Sequence, residues 1–245
     1  MTAAIWKPAA PSGNNGSVPN LSRNALMAAL LFLAAALCSI GCAPLKIPME
    51  PRVGNMDIVN PFAADAALLI TEENKSSVLS VRPESFTGGA RSYDFPMGQA
   101  LETASLATFS QMFQHVVVVR TDSEAQKYDI VLEPTVEDFH FRFDEQGYSG
   151  FALAVYSRAK VQVSVKSKGE PVWKKAVESP EQKKGPWDIN FSYENDIGES
   201  ASNTLVYDLR QLAMEMYRDA ALRKTIEGDT GSAEGQAPAA PPGRK

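Results

Sequence analysis

The sequence predicts an α+β domain, with two helices packed on one face of a mostly antiparallel sheet in the order β-α-β-β-β-β-α. Three observations carry this. From Phe151 to Lys166 the apolar residues Phe151, Leu153, Val155, Ala159, Val161, Val163 and Val165 alternate with Arg158, Lys160, Gln162, Ser164 and Lys166, the period of two of a strand with one buried face. Ile197, Ala201, Leu205, Leu209, Leu212 and Met216 recur at steps of three and four, which lines one side of a helix. Leu101, Phe109 and Met112 do the same for an earlier segment, and nothing in the chain repeats, so one layered domain suffices.

Taken in order, Ala66 to Thr71 is a short apolar run compatible with a buried strand, and Ser77 to Val81 continues extended until Pro83. Glu84 to Asp94, with Gly88 and Gly89, reads as loop, and Tyr93 and Phe95 lead into the next element. Pro96 suits the first turn of a helix over Met97 to Gln114. Val116 to Val119 is β-branched throughout and is expected to be a central strand covered on both faces.

Between Tyr128 and Phe143 the apolar residues change parity: Tyr128, Ile130, Leu132 and Val136 are even, whereas Phe139, Phe141 and Phe143 are odd. A bulge or bend near Glu137-Asp138 is therefore expected, with Pro134 placing the stretch near an edge. Gly147 to Gly150 forms a turn into the strand that ends at Lys166. Ser167 to Glu170 then connects tightly to an antiparallel Val172 to Glu178. Lys183 to Pro186 breaks the pattern, Ile189, Phe191 and Tyr193 form a short extended piece, and a helix runs from about Asp196 to Lys224.

The amino terminus has a different logic. Sixteen uncharged, mostly apolar residues from Ala25 to Ile40 follow Lys7 and Arg23, with no acidic residue before Cys42. That is the order of an export signal, and the run is shorter than the about 20 residues that span a bilayer. Initiation at Met27 instead of Met1 would discard Arg23. Residues 1–41 are thus expected to be a signal peptide. Residues 42–60, with Pro44, Pro48 and Pro51, are expected to be a tether, 61–227 the folded domain, and the Gly-, Ala- and Pro-rich 228–245 a disordered tail.

Ser39-Ile40-Gly41-Cys42 resembles the lipobox of bacterial lipoproteins, in which a small residue precedes a Cys that takes diacylglycerol on its thiol. Cys38 follows bulky Leu37 and fits that pattern less well. The resemblance implies acylation at Cys42, and Ala43 in place of an Asp implies sorting to the outer membrane on its periplasmic face. Two or three acyl chains make a durable anchor, where one holds only reversibly. Loss of Lys7 and Arg23 with the signal takes the formal net charge from -5 to -7, since 22 basic residues then face 29 acidic ones, which argues against a polybasic membrane patch and disfavours nucleic acid. With Cys38 removed and Cys42 acylated, neither a disulfide nor a thiol nucleophile remains, and two His cannot build a structural zinc site.

Motifs of catalysis are near misses. Gly147-Tyr148-Ser149-Gly150 is one residue short of a nucleophile elbow, and Ser157-Arg158-Ala159-Lys160 matches S-x-x-K on a strand, where residues three apart face opposite ways. His115 at a helix exit and His140 between two Phe have no paired nucleophile. Acid pairs such as Glu72-Glu73 and Asp144-Glu145 read as solvated loop charges. No enzyme, metal or cofactor is therefore expected.

The order of elements, with Met97 to Gln114 before Val116 to Val119 and the closing helix after Phe191, resembles the YajG-like family of bacterial lipoproteins, and more loosely the lipopolysaccharide-transport lipoprotein that plugs an outer-membrane barrel. The expected function is a non-enzymatic factor in envelope biogenesis or maintenance, with membrane lipid bound through Cys42 and a second envelope component as partner. A carrier for a lipid or other apolar ligand is the alternative. Phe139, Phe141, Phe143, Tyr148 and Phe151 are the candidate contact residues, either as core or as an apolar groove, with sheet-edge pairing as a second route.

Overall fold

The computed structural model describes residues 43–144, 154–184 and 193–228. The expectations on the signal segment, Cys42, Tyr148, Phe151, Ile189, Phe191 and the tail after Gly228 lie outside these residues.

In chain order the elements are β1 (Leu45–Lys46), β2 (Phe62–Leu69), α1 (Glu72–Lys75), β3 (Leu79–Val81), β4 (Tyr93–Phe95), α2 (Met97–Phe109), β5 (Phe113–Val119), α3 (Asp122–Ala125), β6 (Ile130–Phe143), β7 (Val155–Ser167), β8 (Glu170–Glu178), β9 (Gln182–Lys184), α4 (Tyr193–Arg218) and α5 (Ala220–Glu227). One sheet runs β5-β2-β6-β7-β8, with β9 also pairing β7, and a small second sheet runs β1-β4-β3. The β6-β7-β8 part is antiparallel, whereas β2 runs parallel to both β5 and β6. Helices α2 and α4 bury Leu101, Ala104, Phe109, Leu205, Leu209 and Leu212 in the same core as one face of this sheet, the α+β architecture read from the sequence.

The Val116–Val119 run is not the central strand. β2 is the interior strand beside it, between β5 and β6, and β5 lies on the sheet margin with Val117 42% exposed. The reason is side-chain size on two faces. Ala66, Leu68 and Ile70 of the β2 segment face the main core, while Ala67 and Leu69 pack with Val119, Ala125 and Val131 in a smaller cluster involving α3 and β6. Alanines allow that close covering from both sides, and a run of small apolar residues therefore outranks a run of large β-branched ones for an interior place in the sheet.

Within β6 the expected bulge is present: the pairing with β7 shifts between Val136 and Asp138. Its consequence is the expected change of parity on one inward face. Leu132, Pro134 and Val136 stand opposite Val165, Val163 and Val161, and Phe139, Phe141 and Phe143 stand opposite Ala159, Ser157 and Val155, all of one parity on β7. The extra residue absorbs the parity change and keeps both halves of β6 on the core face.

The β7–β8 hairpin turns through Lys168 and Gly169, with φ of 52° and 86°, a pair of left-handed residues that matches the twist of the flanking strands. The long closing helix divides at Asp219, whose carboxylate accepts from the backbone N–H groups of Ala221 and Leu222 and so starts α5 as a separate helix. Helix α2 ends at Phe109, before the expected Gln114, because Met112 and Phe113 are already turned into the core. Tyr193 begins α4 instead of closing a strand, and Tyr93–Phe95, read as the end of a loop and the lead into a helix, is strand β4.

Candidate functional site

Of the aromatic candidates, Phe139, Phe141 and Phe143 are 3%, 2% and 3% exposed. Phe95 lies 4.8 Å from the Phe139 ring and 5.3 Å from the Phe141 ring, and Tyr93 lies 5.1 Å from Phe141. Edge-on packing of this kind fills the space an apolar ligand would need. These three Phe are core side chains and form no groove; β4, missed as a strand, supplies the rings that cover them.

The opposite face of β6 and β7 is a lattice of charge. Glu133 pairs with Lys166, Glu137 with Lys160, and Arg142 with Glu181 through two hydrogen bonds. His140 lies between Asp138 and Glu84, 2.7 Å from each, and its hydrogen bond to Asp138 is the leading reason that the carboxyl is held below its ordinary range. His115 pairs with Asp65 on the surface. Both histidines are thus engaged with carboxylates instead of a nucleophile. Ser157 of the S-x-x-K match is buried and bonded to Ser200 and Thr204 of α4, while Lys160 is turned to Glu137 on the far side. That is a structural pin between helix and sheet.

The segment expected to be a tether is bound to the domain. The folded unit begins at Pro44. β1 pairs with β4, Ile47 is 2% and Met56 6% exposed, and the Met56 N–H donates to Gln111, whose side-chain amide donates to the Gly54 carbonyl. Arg210 donates to the Asn55 carbonyl, and Arg223 to that of Asn60. Proline kept the strap extended, as read; its alternate apolar residues gave it a surface to lie on. Where it crosses α4, an open groove of about 350 Å³ is lined by Pro48, Glu50 and Arg52 of the strap and by Asn195, Glu199 and Asn203 of the helix. Asn195, Glu199 and Asn203 are four apart and share one helical side, a signal present in the sequence but uninformative until the strap was placed.

Asp208 was also passed over. It is fully buried on α4, its two oxygens have no hydrogen-bond partner among the described residues, and burial pushes its carboxyl up to about 8. The signal was available: residue 208 falls among Leu205, Leu209 and Leu212 on the apolar side.

The margins of the large sheet are protected in most places. Along the upper half of β6, Pro134 has no N–H, the Glu137 bulge interrupts the row, the Phe139 N–H is taken by Asp138, the Phe141 carbonyl by the Glu84 N–H, and the Phe143 N–H by Ser85. On the far side, β8 carries Pro171, a register shift and exposed Lys174, and the Gln182 carbonyl of β9 accepts from Ser200. β5 has no such device between Gln114 and Val119.

Among the described residues, no helix is long and apolar enough to cross a membrane, and no group of three or more His, Cys, Asp or Glu is placed to hold a metal ion. No protein-family model matches the chain, and no curated protein is significantly similar to it. The YajG-like resemblance rests on the pattern of elements alone. Similar solved structures include a Xanthomonas campestris protein of the DUF330 family, at 12% identity over 72% of this chain and 93% of that one, with a TM-score of 0.40. A neuraminyllactose-binding hemagglutinin homolog from Helicobacter pylori is 14% identical over 71% and 96%, with a TM-score of 0.37, and a minor lipoprotein from Acinetobacter baumannii is 13% identical over 67% and 96%, with a TM-score of 0.30. Likeness at this level assigns the chain to no family.

Proposed function

We propose that this chain is a non-enzymatic lipoprotein of the bacterial envelope, acylated at Cys42, held at the periplasmic face of the outer membrane, and binding another envelope component during assembly or maintenance. The docked strap supports this reading above all else. With the chain fixed to the domain from Leu45 onward, only Ala43 and Pro44 separate an acylated Cys42 from β1, a reach of about 10 Å at most. A lipid there holds the domain against the bilayer instead of on a leash, so its binding surface stands at a set height. The groove between strap and α4, with two carboxylates, one guanidinium and two carboxamides, suits a polar, hydrogen-bonding partner. The filled aromatic cluster gives the apolar-carrier alternative no support.

The test has two arms. Mass spectrometry of the full chain from membranes is expected to find the mature protein starting at an acylated Cys42, and Cys42→Ala to move it to the soluble fraction. Photo-crosslinking in intact cells from Glu50 and Asn203 is expected to recover one envelope component reproducibly. A bare, unacylated protein sinks the anchor; recovery of nothing above background sinks the partner.

A further inference from the structure

We infer that β5 is an interface for a second copy of this chain, which adds its own β5 antiparallel about Val117 and closes a two-fold dimer. The Val119 carbonyl accepts from Ile70 N–H on the β2 side, so Val119, Val117 and His115 point their backbone groups inward, and Gln114, Val116 and Val118 point theirs outward. The Arg120 N–H, next in the outward row, is capped by the Glu124 carboxylate, which ends the free stretch. Val116 and Val118 are left with N–H and C=O groups that find no strand partner among the described residues.

Three observations select a copy of the same chain as the occupant. First, Val116, Val117 and Val118 are symmetric about Val117, so a two-fold axis there sets Val116 opposite Val118 of the other copy and exchanges four backbone hydrogen bonds. Second, no Asp, Glu, Lys or Arg lies between Gln114 and Val119, the axis at Val117 sets His115 opposite Val119 and away from its counterpart, and the half-exposed Val117 covers its own counterpart. Third, β8, β9 and upper β6 are blocked as described, so among the described strands of the large sheet β5 is the open margin, and the β5 of another copy is the matching one. Pairing of like with like closes as a dimer and cannot extend into a fibre. The inference does not depend on acylation.

The full chain carrying Val117→Cys, in native membranes under mild oxidation, tests it. At the axis the two Cα atoms would stand about 4.5 Å apart, within disulfide reach. A covalent dimer is expected from this variant, and none from the unaltered chain or from Val59→Cys, at an exposed site outside β5. As a second measurement, Val117→Lys is expected to weaken the dimer of the full chain in detergent by about tenfold or more, seen by sedimentation, with the far-ultraviolet dichroism of the folded chain unchanged because the site is on the surface. Absence of the covalent dimer from the Val117→Cys chain, a conjugate with a different protein, or a Val117→Lys chain that sediments like the unaltered one would each overturn the inference.

Discussion

The Pro48 carbonyl rests on the bare Cα of Gly198, so closely that a Cβ at 198 would overlap the oxygen and stand 2.9 Å from the carbonyl carbon. Glycine inside a helix normally costs about 1 kcal/mol relative to alanine, so Gly198→Ala ought to stabilise α4 taken alone. Here the overlap with backbone dominates, and a backbone carbonyl cannot rotate away as a side-chain tip could. Gly198→Ala is expected to lower stability by about 1–3 kcal/mol and to raise amide exchange at Leu45, Ile47 and Met56, whose groups the strap holds. Exchange measured by mass spectrometry checks it; unchanged protection of residues 45–56 would show that the strap does not depend on this contact.

Phe141 touches Tyr93, Phe95, Phe139 and Phe143 and is 2% exposed. Its truncation to alanine is expected to cost about 3–5 kcal/mol in denaturant unfolding, as a cavity in a close-packed ring cluster does. A ligand-lining aromatic would instead lose binding with little change in stability. The midpoint of urea unfolding distinguishes the two.

Periodicity carried the sequence reading where one face of an element was buried. The β7 alternation, the β7–β8 hairpin and the α4 stripe all stand as expected, because a strand or helix with one wet face writes its geometry into every second or third residue. Position within the sheet was less legible. Val116–Val119 and Ala66–Ile70 are both short apolar runs, and only the tertiary packing of small Ala66 and Ala67 decides which is interior. The strap was misread for a different reason: Leu45, Ile47, Met49 and Val53 alternate at odd positions and pack on the core, but Pro44, Pro48 and Pro51 among them read as the mark of a spacer. Of the candidate aromatic residues, Phe139, Phe141 and Phe143 cluster with Tyr93 and Phe95, and their face follows from counting Glu137 as a shift of register.

That count can be tested. Deleting Glu137 removes the residue that restores parity, so either Phe139, Phe141 and Phe143 turn to the charged face or the β6–β7 ladder breaks beyond Val136. Loss of cooperative unfolding and of near-ultraviolet dichroism is the expected outcome. Glu137→Ala keeps the register and removes only a solvent-screened pair with Lys160, so cooperative unfolding and the near-ultraviolet signal are expected to be retained. A deletion as well tolerated as the substitution would show that the bulge does not set the face.

Asp208 makes stability depend on pH in a direction opposite to most paired carboxylates. Burial raises its folded-state pKa to about 8 from an ordinary 3.8, and the Glu178 charge adds to the rise. Between these values the folded chain holds a proton that the unfolded chain has released, so stability falls as pH rises. The contribution is fully present below about pH 4, declines through neutrality and levels off above about pH 8. By pH 7 the gap of about three units, at 1.36 kcal/mol each, amounts to roughly 4 kcal/mol lost relative to the neutral acid. Asn has nearly the shape of that neutral acid and cannot ionise. Asp208→Asn is therefore expected to match the unaltered chain near pH 4 and to exceed it by several kcal/mol at pH 8, with a flatter melting temperature across that window. Parallel pH profiles for the two chains would show that the carboxyl finds a compensating charge and titrates as an ordinary surface acid does.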